Sequence, residues 1–323
     1  MPAYDLPLNE LYRYRPDRNE PADFDVFWRT TIAEMDQYPL SANRNAADYD
    51  LALLDTFDVT YTGWAGQPVK GWLITPKGVS EPSPCVIEFP SYGGGRGFPV
   101  DWLTFPCAGY VYFVMDNRGQ GSGWRQGDTA DIPPEGNSPH TPGVMTLGIL
   151  DRNTYFYRRL FVDALRACRW VKTLPMVDPQ RIAVTGMSQG GAVSLVTAAL
   201  EPGLSAVMPD VTFLSDFRRA TTMVDTPPYN EISVYCQIHR DQVDRVFETL
   251  AYFDAMNFAA RDHAPALFSV GLMDTIAPPS TVFASYNWYA GEKEIKVWPY
   301  NGHEGGGAFQ TVEKLKFLRR LWG

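Results

Sequence analysis

Beyond residue 50, short apolar runs recur along the chain, separated by stretches with helical periodicity. Phe57, Val59 and Tyr61 alternate with polar residues, Gly63–Gln67 makes a turn, and Val69–Ile74 resumes an apolar pattern. This predicts a β-hairpin. The later runs are compact: Cys85–Phe89, Tyr110–Met115, Arg181–Thr185, Leu204–Met208, Ala266–Val270 and Glu294–Trp298. Runs of this kind suit strands buried on both faces of a mostly parallel sheet. Helical patterns fill 155–174, 189–200, 278–290 and 308–322. In the last, Phe309, Val312, Leu315, Leu318 and Leu321 fall at helical spacing and are expected to pack on the sheet. An earlier helix is read over Phe24–Tyr38. Strand–helix alternation indicates a doubly wound α/β fold.

Two connections are too long for turns, 117–154 and 211–250, and the second is expected to hold helices of its own. Residues 1–50 read as an N-terminal extension. The whole of 1–323 is expected to form one domain carrying these additions, since 323 residues without an internal repeat can bury their own core.

Apolar residues make up 45% and charged residues 20% of the chain, which excludes a disordered protein. The net charge of −9 argues against nucleic acid and anionic membranes as partners, because both demand basic patches. No apolar run approaches a membrane span, and Met1–Trp28 lacks the pattern of a signal peptide. Cys85, Cys107, Cys168 and Cys236 stand far apart with no C-x-x-C pair, so buried free thiols and a cytoplasmic location are expected.

The sharpest chemical signal is Gly186-Met187-Ser188-Gln189-Gly190. It follows the strand run ending at Thr185 and precedes small, helix-compatible residues. That is the strand–turn–helix context of a nucleophile elbow. Ser188 would project at the carboxyl end of the sheet, where open α/β folds bind ligands. A serine nucleophile needs a base, and the chain has four histidines. His140 lies in the long insertion, His239 in a polar helical stretch, and His263 before a strand, at the wrong end of the sheet. His303 follows the strand Glu294–Trp298 in a glycine-rich loop and is the expected general base.

The acid is expected between serine and histidine. Asp274 follows the strand Ala266–Val270 and fits. Asp210 is the rival, and a helix N-cap is a structural alternative for Asp274. Oxyanion donors are expected from the backbone N–H of Gln189 and of Tyr92, in the loop Pro90–Gly97 after Cys85–Phe89. That glycine run lacks the Lys-Ser/Thr ending of a phosphate loop. Arg118, in Asp116-Asn117-Arg118-Gly119-Gln120-Gly121, could bind an acidic substrate, but bracing of loops is the favoured reading.

Arg118-Gly119-Gln120, Gly186-Met187-Ser188-Gln189-Gly190 and His303-Glu304 together resemble the acetyl xylan esterases and cephalosporin-C deacetylases of carbohydrate esterase family seven. The likeness runs from about Leu6 to Leu321. It implies an α/β-hydrolase fold and hydrolysis of acetyl esters on short xylo-oligosaccharides, other sugar acetates and cephalosporin C. It also implies a Ser188–His303–Asp274 triad, with Tyr92 and Gln189 amides in the oxyanion hole and no metal or organic cofactor. Relatives are typically intracellular homohexamers, trimers of dimers, whose inward-facing sites exclude polymeric xylan. Tyr92, Trp124, Pro228 and Ile276 are candidate walls of a small acyl pocket, though each could equally be core. Two other readings remain: a general short-chain carboxylesterase or small serine peptidase of the prolyl-oligopeptidase type, and a binding protein that has kept the fold without turnover.

Overall fold

The computed structural model describes residues 4–79, 81–133 and 139–323. Residues 134–138 of the expected 117–154 insertion and 1–3 of the expected extension lie outside that description. The hairpin and six compact runs become eight strands, and Ala42–Ala46, inside the expected N-terminal extension, adds a ninth: β1 (Ala42–Ala46), β2 (Leu54–Thr62), β3 (Pro68–Pro76), β4 (Ser83–Phe89), β5 (Val111–Met115), β6 (Val177–Met187), β7 (Ala206–Asp210), β8 (Ala266–Gly271) and β9 (Lys293–Trp298). They form one sheet in the order β1-β2-β3-β5-β4-β6-β7-β8-β9. Pairing is antiparallel from β1 through β3 to β5 and parallel from β5 to β9. The central strands β5 and β7 are wholly buried, which is why they read as uninterrupted apolar runs.

Helices cover both faces. Phe156–Lys172 and Gln189–Leu200 pack on one face with the largest apolar cluster. Helix Phe156–Lys172 is buried almost all round because the extension lies over it. Phe24, Phe27 and Trp28 of helix Phe24–Met35 pack there with Phe161 and Phe253. Three of its buried charges are ion-paired, Arg158 to Glu34 at 2.7 Å, Arg159 to Asp131 at 2.7 Å and Asp163 to Arg118 at 2.5 Å, while Arg166 is satisfied by the carbonyls of Met35, Tyr38 and Thr62. The second insertion carries helices Phe217–Met223, Tyr229–Ile238 and Val243–Leu250, as expected. No helix among the described residues is long and apolar enough to cross a membrane.

Several expectations need correction. The first long helix stops at Met35, short of Tyr38. Strand β9 is half-exposed, because it is the outermost strand and has one free edge. In helix Gly307–Trp322, Phe309 is 76% exposed, Val312 48% and Leu321 39%, while Gln310, Lys314, Phe317 and Leu318 face inward. Polar partners turn this helix: Lys314 Nζ donates to Thr185 Oγ1 at 2.8 Å and pairs with Asp210. All four cysteines are free, but Cys107 is exposed and Cys236 half-buried.

Candidate active site

Ser188 ends β6 and opens helix Gln189–Leu200 with φ 59° and ψ −117°. Such a backbone costs about 1–3 kcal/mol in a residue with a side chain, so its surroundings must hold it. Its N–H donates to the Asp210 carbonyl at 2.9 Å, and its carbonyl accepts from Ala192 and Phe213 N–H at 3.1 Å each. The turn closes only because its neighbours lack side chains. A Cβ on Gly190 would lie 1.9 Å from the Phe89 carbonyl oxygen, and one on Gly186 would lie 2.4 Å from the Gly190 carbonyl carbon. This places Ser188 at the carboxyl edge of the sheet, 3% exposed.

His303 reaches the same edge from the loop after β9, and Asp274 from the loop after β8. His303 Nδ1 is 2.8 Å from Asp274 Oδ2. Asp274 is fully buried, and its Oδ1 accepts N–H from Ile276 at 2.8 Å and Ala277 at 3.0 Å. The carboxylate therefore has one oxygen for its own loop and one for the imidazole. The Tyr4 hydroxyl fixes the same residue from outside by donating to the Asp274 carbonyl at 2.6 Å. The histidine loop folds back on the serine turn. A Cβ on Gly305 would meet Val211 at 2.9 Å, next to the Asp210 carbonyl that receives the Ser188 N–H. Ser188 and His303 share the edge without a hydrogen bond between their side chains in this structure.

The rival acid is committed elsewhere. Asp210 pairs with Lys314 Nζ and accepts from Gln310 Nε2 at 3.0 Å. These groups border a cavity of about 240 Å³ behind the histidine loop, with Glu88, Tyr112, Met187 and Glu304. Of the other histidines, His263 precedes β8 at the opposite end, His239 ends helix Tyr229–Ile238 and stacks on Tyr235 at 4.3 Å, and His140 is exposed. Among the described residues, no group of three or more His, Cys, Asp or Glu is placed to hold a metal ion.

The backbone N–H groups of Tyr92 and Gln189 donate to no acceptor among the described residues. The loop carrying Tyr92 is pinned throughout. Asn117 Nδ2 donates to the carbonyls of Pro90 (3.1 Å), Ser91 (3.2 Å) and Gly94 (2.9 Å), and Ser91 Oγ donates to the Met187 carbonyl at 2.8 Å. Trp124 Nε1 donates to the Tyr92 carbonyl at 2.8 Å. Gly93 N–H donates to Gln120 Oε1 at 2.7 Å, and Gln120 Nε2 donates to Gln189 Oε1 at 3.1 Å. Tyr157 also donates to that oxygen, at 2.9 Å. The Tyr92 hydroxyl donates to Glu231 Oε1 at 2.6 Å.

Of the candidate pocket walls, Tyr92 sets its ring 6.4 Å from Phe213, and Trp124 is 54% exposed with its indole N–H committed to the loop. Pro228 is buried at the head of helix Tyr229–Ile238, and Ile276 is half-buried with its N–H on Asp274. Arg118 braces. It is fully buried, grips Asp163 through Nε (2.5 Å) and Nη2 (2.9 Å), and reaches Asp131 (3.1 Å) and Gln67 (2.8 Å). Sequence reasoning missed Gln120, Asn117, Tyr157 and Glu231. Asn117 and Gln120 flank Arg118 in a glycine-rich loop, which is a signal of a built loop, but their partners lie too far along the chain to be read from it.

Residues 1–321 match the family model described as acetyl xylan esterase (AXE1). The chain is 26% identical over 316 residues to acetyl esterase Axe7A of Xylanibacter ruminicola, covering 95% of this chain and 68% of that protein. The solved acetyl xylan esterase from Paenibacillus sp. R4 is 38% identical with a TM-score of 0.91, over 98% of this chain and all of that one. Acetyl xylan esterase 1 from Thermoanaerobacterium sp. JW/SL YS485 is 33% identical with the same TM-score, over 99% of this chain and all of that one. A nine-stranded, mostly parallel sheet with this end-to-end likeness makes the chain a member of the acetyl xylan esterase family, a carboxylic-ester hydrolase of the α/β-hydrolase fold.

Proposed function

We propose that this esterase removes acetyl groups from small acetylated molecules through Ser188, His303 and Asp274. The observation that carries the reading is the strained Ser188 turn at the sheet edge that also bears the 2.8 Å His303–Asp274 contact. With Asp274 accepting from Nδ1–H, the imidazole keeps Nε2 free as a base. Nε2 takes the hydroxyl proton as Ser188 Oγ attacks the acetyl carbonyl carbon. The Tyr92 and Gln189 amides take up the negative oxygen. Collapse expels the alcohol, which leaves with the proton from the imidazolium. Water then attacks the acetyl-enzyme with the same proton relay, releasing acetate and restoring Ser188.

Short xylo-oligosaccharides, other sugar acetates and cephalosporin C are the proposed substrates, with Tyr92, Trp124, Pro228 and Ile276 as acyl-pocket walls. The family resemblance supports this, as it supports a cytoplasmic homohexamer built as a trimer of dimers. The test is hydrolysis of p-nitrophenyl esters of increasing acyl length, with Ser188→Ala as the blank. A steep fall from acetyl to butyryl and an inactive blank support the reading. A flat or rising profile makes the protein a general carboxylesterase, and turnover in the blank removes the nucleophile. Light scattering that finds a single chain overturns the hexamer.

A further inference from the structure

Glu231 sits in helix Tyr229–Ile238, 5% exposed, with both carboxylate oxygens turned toward donors. Oε1 accepts the Tyr92 hydroxyl at 2.6 Å, and Oε2 accepts Met145 N–H at 3.0 Å. The Tyr92 oxygen in turn accepts Val144 N–H at 2.9 Å. The fit is close: a Cβ on Gly143 would lie 2.2 Å from Oε2. Three segments far apart in sequence therefore meet on one buried carboxylate, and one of them is the loop that carries the Tyr92 N–H proposed as an oxyanion donor.

We propose that Glu231 is a positioning residue for ester hydrolysis: its ionised carboxylate, acting through the Tyr92 hydroxyl, holds the Tyr92 peptide where its N–H meets the substrate oxyanion. The inference rests on reading Ser188 as nucleophile and Tyr92 as oxyanion donor. The hydrogen-bond pattern favours the ionised form. The Tyr92 oxygen accepts from Val144 N–H, and its own proton is directed to Glu231. Met145 presents a second N–H. A protonated carboxyl would set O–H against one of these donors, and a glutamine amide would do the same with N–H.

The titratable groups that face this carboxyl are Tyr92 from the loop, and Tyr155 and Tyr157 at the head of helix Phe156–Lys172. The 143–145 segment contributes backbone N–H. Burial pushes the Glu231 carboxyl up to about 7, against the opposing pull of the Tyr92 and Met145 hydrogen bonds. As pH falls through that value the carboxyl takes a proton, one of the two contacts fails, and the Tyr92 loop loosens. Activity then falls with this proton.

The test measures kcat and KM for p-nitrophenyl acetate on both sides of that pH in the wild type, Glu231→Gln, Tyr92→Phe and the double variant, with Ser188→Ala as control. Tyr92→Phe keeps the ring and the backbone N–H and removes only the hydroxyl, so it carries the test if Glu231→Gln does not fold. Each single variant is expected to lower kcat about 10–100-fold with KM changed less than about threefold. The double variant is expected to lose no more than the worse single one. The wild-type acid limb is expected to be steeper than that of Glu231→Gln. Unchanged kcat in folded variants, or identical limbs, overturns the role of Glu231. Turnover surviving in Ser188→Ala overturns the underlying nucleophile reading instead.

Discussion

Gln120 and Gln189 lie 69 positions apart in sequence, and their side-chain amides meet at 3.1 Å. Gln120 spends its other amide atom on Gly93 N–H at 2.7 Å. One side chain thus ties the residue after Ser188 to the residue after Tyr92, and spaces the two backbone donors proposed to receive the oxyanion. Gln120→Ala leaves Gly93 N–H without its acceptor. Gln120→Glu keeps that acceptor but turns an anionic oxygen toward Gln189 Oε1. Both variants are expected to lower kcat for p-nitrophenyl acetate about tenfold or more, with little change in KM.

The two aspartates separate catalysis from stability. Asp274→Asn should leave the fold intact and lower kcat by about 10⁴, because an amide in place of Oδ2 favours the wrong imidazole tautomer. Asp210→Asn strips the charge partner from the largely buried Lys314. It is expected to cost about 3 kcal/mol of stability while the folded fraction keeps most of its turnover. Thermal unfolding and kcat measured on the same two preparations distinguish the cases. The opposite assignment would give a stable, inactive Asp210→Asn.

Gly190→Ala forces a methyl group into the Phe89 carbonyl, where the available distance is 1.9 Å. Backbone must move, since no flexible side chain lies there to yield. The expected outcome is a loss of at least about 1–3 kcal/mol together with esterase activity, as the helix lifts from β4 and carries Ser188 with it. A variant with wild-type Tm and kcat would show that the turn is not as tight as described.

Arg118→Lys distinguishes bracing from substrate binding. A lysine cannot reproduce the two-point grip on Asp163 or reach Asp131 and Gln67 at once. Stability is expected to fall by about 3–5 kcal/mol because Asp163 is left buried and poorly paired. KM for neutral and acidic acetyl esters should change by the same factor. A selective loss for acidic esters would make Arg118 a substrate contact.

Features that depend on neighbouring residues were readable in the sequence. Gly186–Gly190 announces its turn because the constraint acts within five residues, and β5 and β7 announce themselves because both faces are buried. Position along the chain also placed His303 and Asp274 at one edge, since each follows its strand. What failed depended on distant partners. Strand β1, Ala42–Ala46, is fully exposed and paired along one edge with β2, so it carries no apolar signal. In helix Gly307–Trp322 the expected Leu315 and Leu318 pack on the core, but Phe309, Val312 and Leu321 face out, because Lys314 and Gln310 are drawn in by Thr185 and Asp210, a hundred or more positions away. Glu231 looks like any helical glutamate until Tyr92 and Met145 are seen around it.

The central claim, that an acetyl group passes through Ser188, is tested most directly by trapping it. The enzyme is mixed with p-nitrophenyl acetate, quenched in acid during turnover, digested and read by peptide mass spectrometry, with Ser188→Ala treated alongside. An acetyl group is expected on the Ser188 hydroxyl in the wild type and none on the corresponding peptide of the variant, which should be inactive. An acetyl group consistently on another residue, or undiminished turnover in Ser188→Ala, would contradict it.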